Sequence, residues 1–203
     1  MNDTKKFTFS EDVNGLPTLQ ELQSWSFQTS LQRSTNKLTV TDEIIQILKA
    51  DALAYYDKLA DDTTINNYVS RIKSSDSIEL KSQRHPDLRF QSVFNDILGI
   101  RIHCSEYPAF IPDYYRIVDL RKGKADDDGY RGIHLYYKQD NFHYVIEVQL
   151  WADPDYAFNI WTHSDTYKYE DPKVTLELRK LYDCGIIKNY NDFRKELNKY
   201  ELI

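Results

Sequence analysis

Two carboxylates interrupt apolar runs in this chain. They are Asp96, in Asn95-Asp96-Ile97-Leu98-Gly99-Ile100-Arg101, and Glu147, in Val145-Ile146-Glu147-Val148-Gln149-Leu150; Gly129-Tyr130-Arg131-Gly132-Ile133-His134 lies between them. Carboxylate oxygens are hard donors suited to Mg²⁺. A pair of them on or beside buried strands, with an aromatic and a histidine between them in sequence, suggests a metal-dependent nucleotide site. A carboxylate at mid-strand is costly to desolvate unless paired or metal-bound, which favours a functional role for Glu147 over a solvent-facing position on an open sheet. Asp96 stands where a helix or loop hands over to a strand, a place from which carboxylates reach clefts. A polar stop between elements is an equal reading of it. In an unbroken strand Arg101 would point away from Asp96, whereas a bulge at Gly99 would reset the parity, so the relation between the two stays open.

The elements that must position these residues follow from periodicity. Between Leu19 and Leu59 apolar residues recur at helical spacing, most clearly Ile44, Leu48, Ala52, Tyr55 and Leu59, which predicts two helices. Tyr68 to Arg84 opens as a β-like run and turns helical, with Ser75 or Asp76 as N-cap and Asp76-x-x-Glu79 resembling a capping box. Ile97 to Cys104 reads as a central strand, Pro108 to Tyr115 as a helix. Strands are expected over Arg116 to Leu120, Tyr130 to Lys138 and Tyr144 to Trp151, the last two forming a hairpin through Gln139-Asp140-Asn141. Helices follow over Asp155 to Tyr169, Val174 to Tyr182 and Asp192 to Leu202. Alternation along the hairpin puts Tyr144, Ile146, Val148 and Leu150 on the core side. Glu147 and Gln149 then share the opposite surface with Tyr130, Gly132, His134 and Tyr136. The expected fold class is therefore α+β: a mixed sheet flanked by helices, with helical extensions at both ends.

Composition narrows the class. At 203 residues the chain has room for one catalytic unit, divided here into N-terminal helices (1–65), a core (66–170) and C-terminal helices (171–203). No apolar run approaches the roughly 20 residues that span a bilayer, and no apolar segment follows Lys5-Lys6, so a cytoplasmic protein without a signal peptide is expected. Cys104 and Cys184 have no metal or redox spacing and are read as reduced, partly buried thiols. A net charge of −6 argues against coating of nucleic acid, though not against a local basic patch. The 16 tyrosines enlarge the supply of stacking surfaces without saying what stacks.

Five elements in order resemble the synthetase domain of RelA/SpoT homologues, in particular the small alarmone synthetases. They are Ser70-Arg71-Ile72-Lys73-Ser74 with Asp76-Ser77-Ile78 and Lys81; Asp96 to Ile102; Gly129 to His134; Glu147-Val148-Gln149-Leu150; and His163 with Tyr167-Lys168. The resemblance implies a nucleotidyltransferase-like sheet and a GTP diphosphokinase-like pyrophosphotransferase, which moves the β,γ-pyrophosphoryl group of ATP to a ribose 3′-hydroxyl. It implies that Arg71 and Arg101 sandwich the adenine, that Lys73 and Lys81, with Ser75, meet ATP, and that Asp96 and Glu147 hold Mg²⁺ and are the catalytic pair. Glu147 would also take the proton of the attacking hydroxyl. Tyr130 would stack on the acceptor base, with His134 and Gln149 orienting the acceptor.

The chain also departs from that pattern. Where family members carry Pro-Lys-x-Asn before the Gly-Tyr, it has Lys122-Gly123-Lys124-Ala125-Asp126-Asp127-Asp128. Three aspartates there would repel acceptor phosphates unless screened by metal or by Lys122 and Lys124. The arginine usual after the catalytic Glu is replaced in Gln149-Leu150-Trp151-Ala152. These changes look closer to a toxic branch of the small synthetases, for which the tRNA 3′-CCA end is the acceptor. Arg131, Lys122, Lys124 and Lys5-Lys6 would then be backbone contacts. GDP or GTP is the first acceptor expected, tRNA the second, and an inactive nucleotide-binding regulatory module the third reading. With no His-Asp dipeptide and no room for a hydrolase domain, synthesis without degradation is expected. A neutralising antitoxin and self-association through the terminal helices, where Phe193, Leu197, Tyr200 and Leu202 form a weak apolar stripe, are the further partners the sequence admits.

Overall fold

The computed structural model describes residues 15–31, 34, 38–84, 89–165 and 172–201. Lys5-Lys6, Tyr167-Lys168, Tyr169 and Leu202 lie outside the described residues. Two helices come first, α1 (Leu19–Trp25) and α2 (Asp42–Ala60), each started by a threonine. Thr18 forms a reciprocal capping box with Glu21, and the Thr41 hydroxyl accepts the Ile44 N–H. Strand β1 (Val69–Ile72) leads into α3 (Ser75–Arg84), and the four-residue α4 (Phe90–Val93) precedes β2 (Leu98–Cys104). Then come β3 (Arg116–Asp119), β4 (Ile133–Tyr137) and β5 (Ile146–Ala152), followed by α5 (Asp153–Asp165), α6 (Pro172–Asp183) and α7 (Tyr190–Glu201). The strands form one mixed five-stranded sheet in the order β1-β2-β5-β4-β3, so the α+β class is as expected.

The chain divides into two compact units. The first comprises Met1–Ile102, Ala109–Ile117 and Leu135–Gln149; the second comprises His103–Pro108, Val118–His134 and Leu150–Ile203. In the first unit the predicted stripe of α2 is buried, with Leu48 and Tyr55 fully enclosed, and α2 packs on α3 and β1. A polar knot ties this helix down. Asp51, 3% exposed, accepts the Ser30 N–H at 2.8 Å and the hydroxyls of Ser30, Tyr144 and Thr29 at 2.5, 2.6 and 3.2 Å. A buried carboxylate is tolerated there because every approach to it is a donor. In the second unit Phe158, Leu178, Ile187, Phe193 and Leu197 make a core joining the three C-terminal helices. The stripe on α7 is therefore spent internally, and Tyr200 stays exposed.

Four local expectations need correction. No helix forms over Pro108 to Tyr115; the segment holds only a turn closed by the Tyr115 N–H on the Pro112 carbonyl, because two prolines in five residues remove donors and the ring of Pro112 blocks the preceding turn. The cap of α3 is Ser74, whose hydroxyl accepts the Ser77 N–H, and Glu79 pairs with Lys49 instead of closing a box. Strand β4 begins at Ile133, so Tyr130 and Gly132 precede the sheet. Cys104 is partly buried as expected, but Cys184 is exposed; both are free. No helix among the described residues is long and apolar enough to cross a membrane.

Candidate active site

The sequence-predicted residues fall into two groups, one in each unit. Arg71, Lys73, Ser75, Lys81, Asp96, Arg101, Glu147 and Gln149 belong to the first; Lys122, Lys124, Tyr130, Arg131 and His134 belong to the second.

In the first group, β1 pairs antiparallel with β2 in an unbroken register, Val69 opposite Arg101 and Arg71 opposite Gly99. There is no bulge at Gly99, so the parity runs through. Gly99 and Arg101 lie on the half-exposed face of β2, and Arg71 lies diagonally across from Arg101 on that face. A Cβ on Gly99 would stand 3.7 Å from the Arg71 side chain, so the glycine leaves an open floor beneath that guanidinium. Arg71, Gly99, Arg101, Glu147 and Gln149 line one cleft.

Beyond Ile72 the pairing continues, with the Lys73 N–H donating to the Ile97 carbonyl at 2.9 Å. That contact brings Lys73 beside Asp96, which is 8% exposed. Lys73 donates to one carboxylate oxygen at 2.7 Å, and Lys81, from the second turn of α3, donates to the other at 3.0 Å. Burial pushes the Asp96 carboxyl up, but the two ammonium groups outweigh it and hold the carboxyl below the ordinary carboxylate value. Burial also pushes the Lys73 ammonium below the ordinary lysine value, with Asp96 opposing. Asp96 is thus a partnered carboxylate at a strand entrance, and Ser75 is exposed on the first turn of α3.

Glu147 is 5% exposed, which removes the solvent-facing reading. Gln149 donates to it from Nε2 at 2.9 Å and accepts from Arg101 Nη2 at 3.4 Å, so the amide bridges carboxylate and guanidinium across the cleft. The Tyr136 hydroxyl is hydrogen-bonded to Glu147. Burial, followed by the Glu147 charge and that hydrogen bond, raises the phenol well above its ordinary value, and Asp96 adds to the rise. One phenol therefore feels both carboxylates, which puts Asp96 and Glu147 in one neighbourhood. The Arg116 guanidinium lies 4.3 Å over the Tyr136 ring. Among the described residues no group of three or more His, Cys, Asp or Glu side chains could hold a metal. Two carboxylates are the number with which proteins commonly hold Mg²⁺, phosphates and water completing the shell, but both Asp96 oxygens accept from lysines here, so Asp96 would exchange an ammonium for the ion on binding it.

In the second unit Asp127 and Asp128 shape the Gly129-Tyr130 turn. Their side chains accept the N–H groups of Gly129 and Tyr130 at 2.9 and 3.2 Å. Gly129 has φ +80°, and a Cβ there would stand 2.9 Å from the Thr175 carbonyl oxygen and from Arg179 Cβ. The predicted phosphate contacts are held within this turn. Arg131 grips Asp127 in a bidentate pair at 2.7 and 2.9 Å, Lys124 pairs with Asp128 at 2.6 Å, and Lys122 is exposed. Two of the three aspartates are thus screened by cations of the same segment. The hydrogen bond from Arg131 keeps the Asp127 carboxyl below its usual range. Tyr130 is half-buried, and its hydroxyl lies 2.7 Å from Trp151 Nε1 and 2.7 Å from His134 Nε2.

Periodicity and motif spacing give no role to Tyr136, Arg116 or Trp151. Strand parity does place Tyr136 on the face of His134, and Trp151 stands where the resemblance expects arginine; those are the only signals.

No family model matches the sequence, and no curated protein does. Among solved structures the chain is similar to small alarmone synthetase 1 from Bacillus subtilis bound to its product pppGpp, at 23% identity over 79% of this chain and 91% of that one, TM-score 0.44. Small alarmone synthetase 2 from the same organism is similar at 22% identity over 79% and 98% of the two chains, TM-score 0.40. Small alarmone synthetase 1 bound to AMPCPP is similar at 20% identity over 78% and 90%, TM-score 0.37.

Proposed function

We propose that this chain is a RelA/SpoT-type synthetase: an ATP-dependent pyrophosphokinase that makes (p)ppGpp from GDP or GTP. The observation that carries the reading is convergence. Residues singled out in sequence segments from Arg71 to Gln149 line one cleft or sit in the ion cluster beside it, and each has the chemistry its step requires.

A planar base between two stacking groups needs about 7 Å between them, near the roughly 7–8 Å of diagonal neighbours on a sheet, which suits adenine between Arg71 and Arg101 over Gly99. Lys73 and Lys81 are donors with no acceptor role and suit the phosphates. In the reaction the acceptor 3′-oxygen attacks the β-phosphorus of ATP and the bond from that phosphorus to the α-bridging oxygen breaks, releasing AMP. Glu147 takes the hydroxyl proton, its carboxylate oriented by Gln149 and Tyr136. Mg²⁺ bound by Asp96 and Glu147 would neutralise charge on the transferring group. Tyr130 supplies the stacking face for the acceptor base, worth on the order of 1–3 kcal/mol.

The test is incubation with γ-labelled ATP, Mg²⁺ and GDP, GTP, ATP or tRNA in parallel. Label in a 3′-pyrophosphorylated guanine nucleotide, lost in Glu147→Gln, is the expected result. Label in tRNA and not in free nucleotide would move the acceptor to an RNA 3′ end. ATP turnover untouched by Glu147→Gln would remove the catalytic assignment altogether.

A further inference from the structure

The ring of Tyr130 is held from two sides, and one of the holders stands where the family resemblance expects arginine. Trp151 is 2% exposed, and its indole nitrogen can only donate. At 2.7 Å the Tyr130 oxygen must therefore be the acceptor of that bond. The same oxygen lies 2.7 Å from His134 Nε2, so the hydroxyl is held between the indole and the imidazole.

Packing enforces the same pose. Both neighbouring rings meet Tyr130 edge to face, His134 at 5.4 Å and 78°, Trp151 at 6.1 Å and 70°. A Cβ on Gly132 would stand 2.8 Å from the Tyr130 hydroxyl and 3.0 Å from the Leu150 carbonyl, so the phenol folds back over a position that only glycine leaves open. Lys124 lies 5.0 Å from the centroid of the ring.

We propose that Trp151 is a positioning residue that sets the stacking ring of Tyr130, so that the acceptor is read through its base on a ring fixed in advance. This rests on the reading of Tyr130 as the acceptor platform. An arginine at position 151 would offer charge to an acceptor phosphate. The buried indole offers none; of the turn's cations Arg131 and Lys124 are paired with Asp127 and Asp128, and Lys122 is exposed. Preorganisation of the aromatic ring takes the place of a phosphate clamp.

The experiment compares wild type, Trp151→Phe, Tyr130→Phe and the double variant. The acceptor is the guanine nucleotide that wild type uses, and the indole N–H resonance of Trp151, assigned by its loss in Trp151→Phe, is followed alongside. Trp151→Phe should raise the acceptor KM by about three- to tenfold, the value of one hydrogen bond, with the ATP KM unchanged within about twofold. Tyr130→Phe keeps the ring but loses the bond to His134 as well, so its rise should be at least as large. The double variant should be no worse than Tyr130→Phe, because that variant already lacks the bond to Trp151. A purely structural tryptophan would lower kcat and stability and leave the acceptor KM alone. An unchanged acceptor KM in Trp151→Phe, or additive effects in the double variant, overturns the proposal. Should wild type transfer to no acceptor, the proposed function fails and the resonance decides the contact itself. A shift in Tyr130→Phe upholds the hydrogen bond, and no shift overturns it.

Discussion

Replacing Asp96 by Asn keeps the shape of the side chain and removes the one negative charge between two ammonium groups. In the folded protein Lys73 has a side chain only 9% exposed, so its ammonium cannot recover water when the carboxylate is lost. Lys81, 28% exposed, can do so in part. Breaking a buried pair from one side costs about 3–5 kcal/mol, and the solvent available to Lys81 places this case near the lower end, about 3 kcal/mol. The assay is urea unfolding near neutral pH of wild type, Asp96→Asn, Lys73→Met and the double variant. Lys73→Met leaves Asp96 with Lys81, so the double variant should be more stable than the sum of the single losses predicts, with a coupling of about 1–2 kcal/mol. An Asp96→Asn protein within about 0.5 kcal/mol of wild type, or a coupling near zero, would refute the argument that the cluster is held by its own charges.

Other outcomes follow from the same reasoning. The Asp96 carboxyl lies below its ordinary value in the folded state, so its contribution is complete above the unfolded titration near pH 3.9. It disappears as the pH falls through the folded value, and acid unfolding of Asp96→Asn should lack that component in a pH series of urea midpoints. Gly129→Ala forces a side chain into φ +80° against the Thr175 carbonyl and should cost about 2–4 kcal/mol in thermal or denaturant unfolding; a loss under about 1 kcal/mol would show that the turn relaxes freely. Asp51→Ala strips the Ser30 N–H and the Tyr144 hydroxyl of their acceptor inside the first unit. The expected loss is about 2–3 kcal/mol, smaller for Asp51→Asn, and equal losses for the two would argue against a hydrogen-bond origin.

What the sequence could reveal depended on how local the signal was. Dense β-branched runs gave β2 and β5 almost to their ends, and the stripe from Ile44 to Leu59 gave α2, because periodicity needs no knowledge of partners. The segment from Pro108 to Tyr115 misled because Pro108 suits a first turn, but the second proline defeats the helix. The Gly99 question needed the register: only the pairing of Arg71 with Gly99 shows that the strand runs on unbent. The site residues were legible as types, yet the donors around them were not. Trp151 reaches Tyr130 across 21 positions of sequence, and the bond from Tyr136 to Glu147 runs between strands, so neither leaves a spacing to read.

The turn before Tyr130 has one more property. Its ion pairs, Asp119 with Arg121, Lys124 with Asp128 and Asp127 with Arg131, each close within four positions of sequence. Contacts this local need almost no loop closure, so the electrostatics of the segment can assemble before distant elements arrive, and they do not wait on the slow, long-range steps of sheet formation. A stretch that carries its own counterions can also be exchanged as a unit. Grafted whole into a related scaffold, it would bring its charge balance along, whereas any single charge moved alone would leave an unmatched neighbour behind.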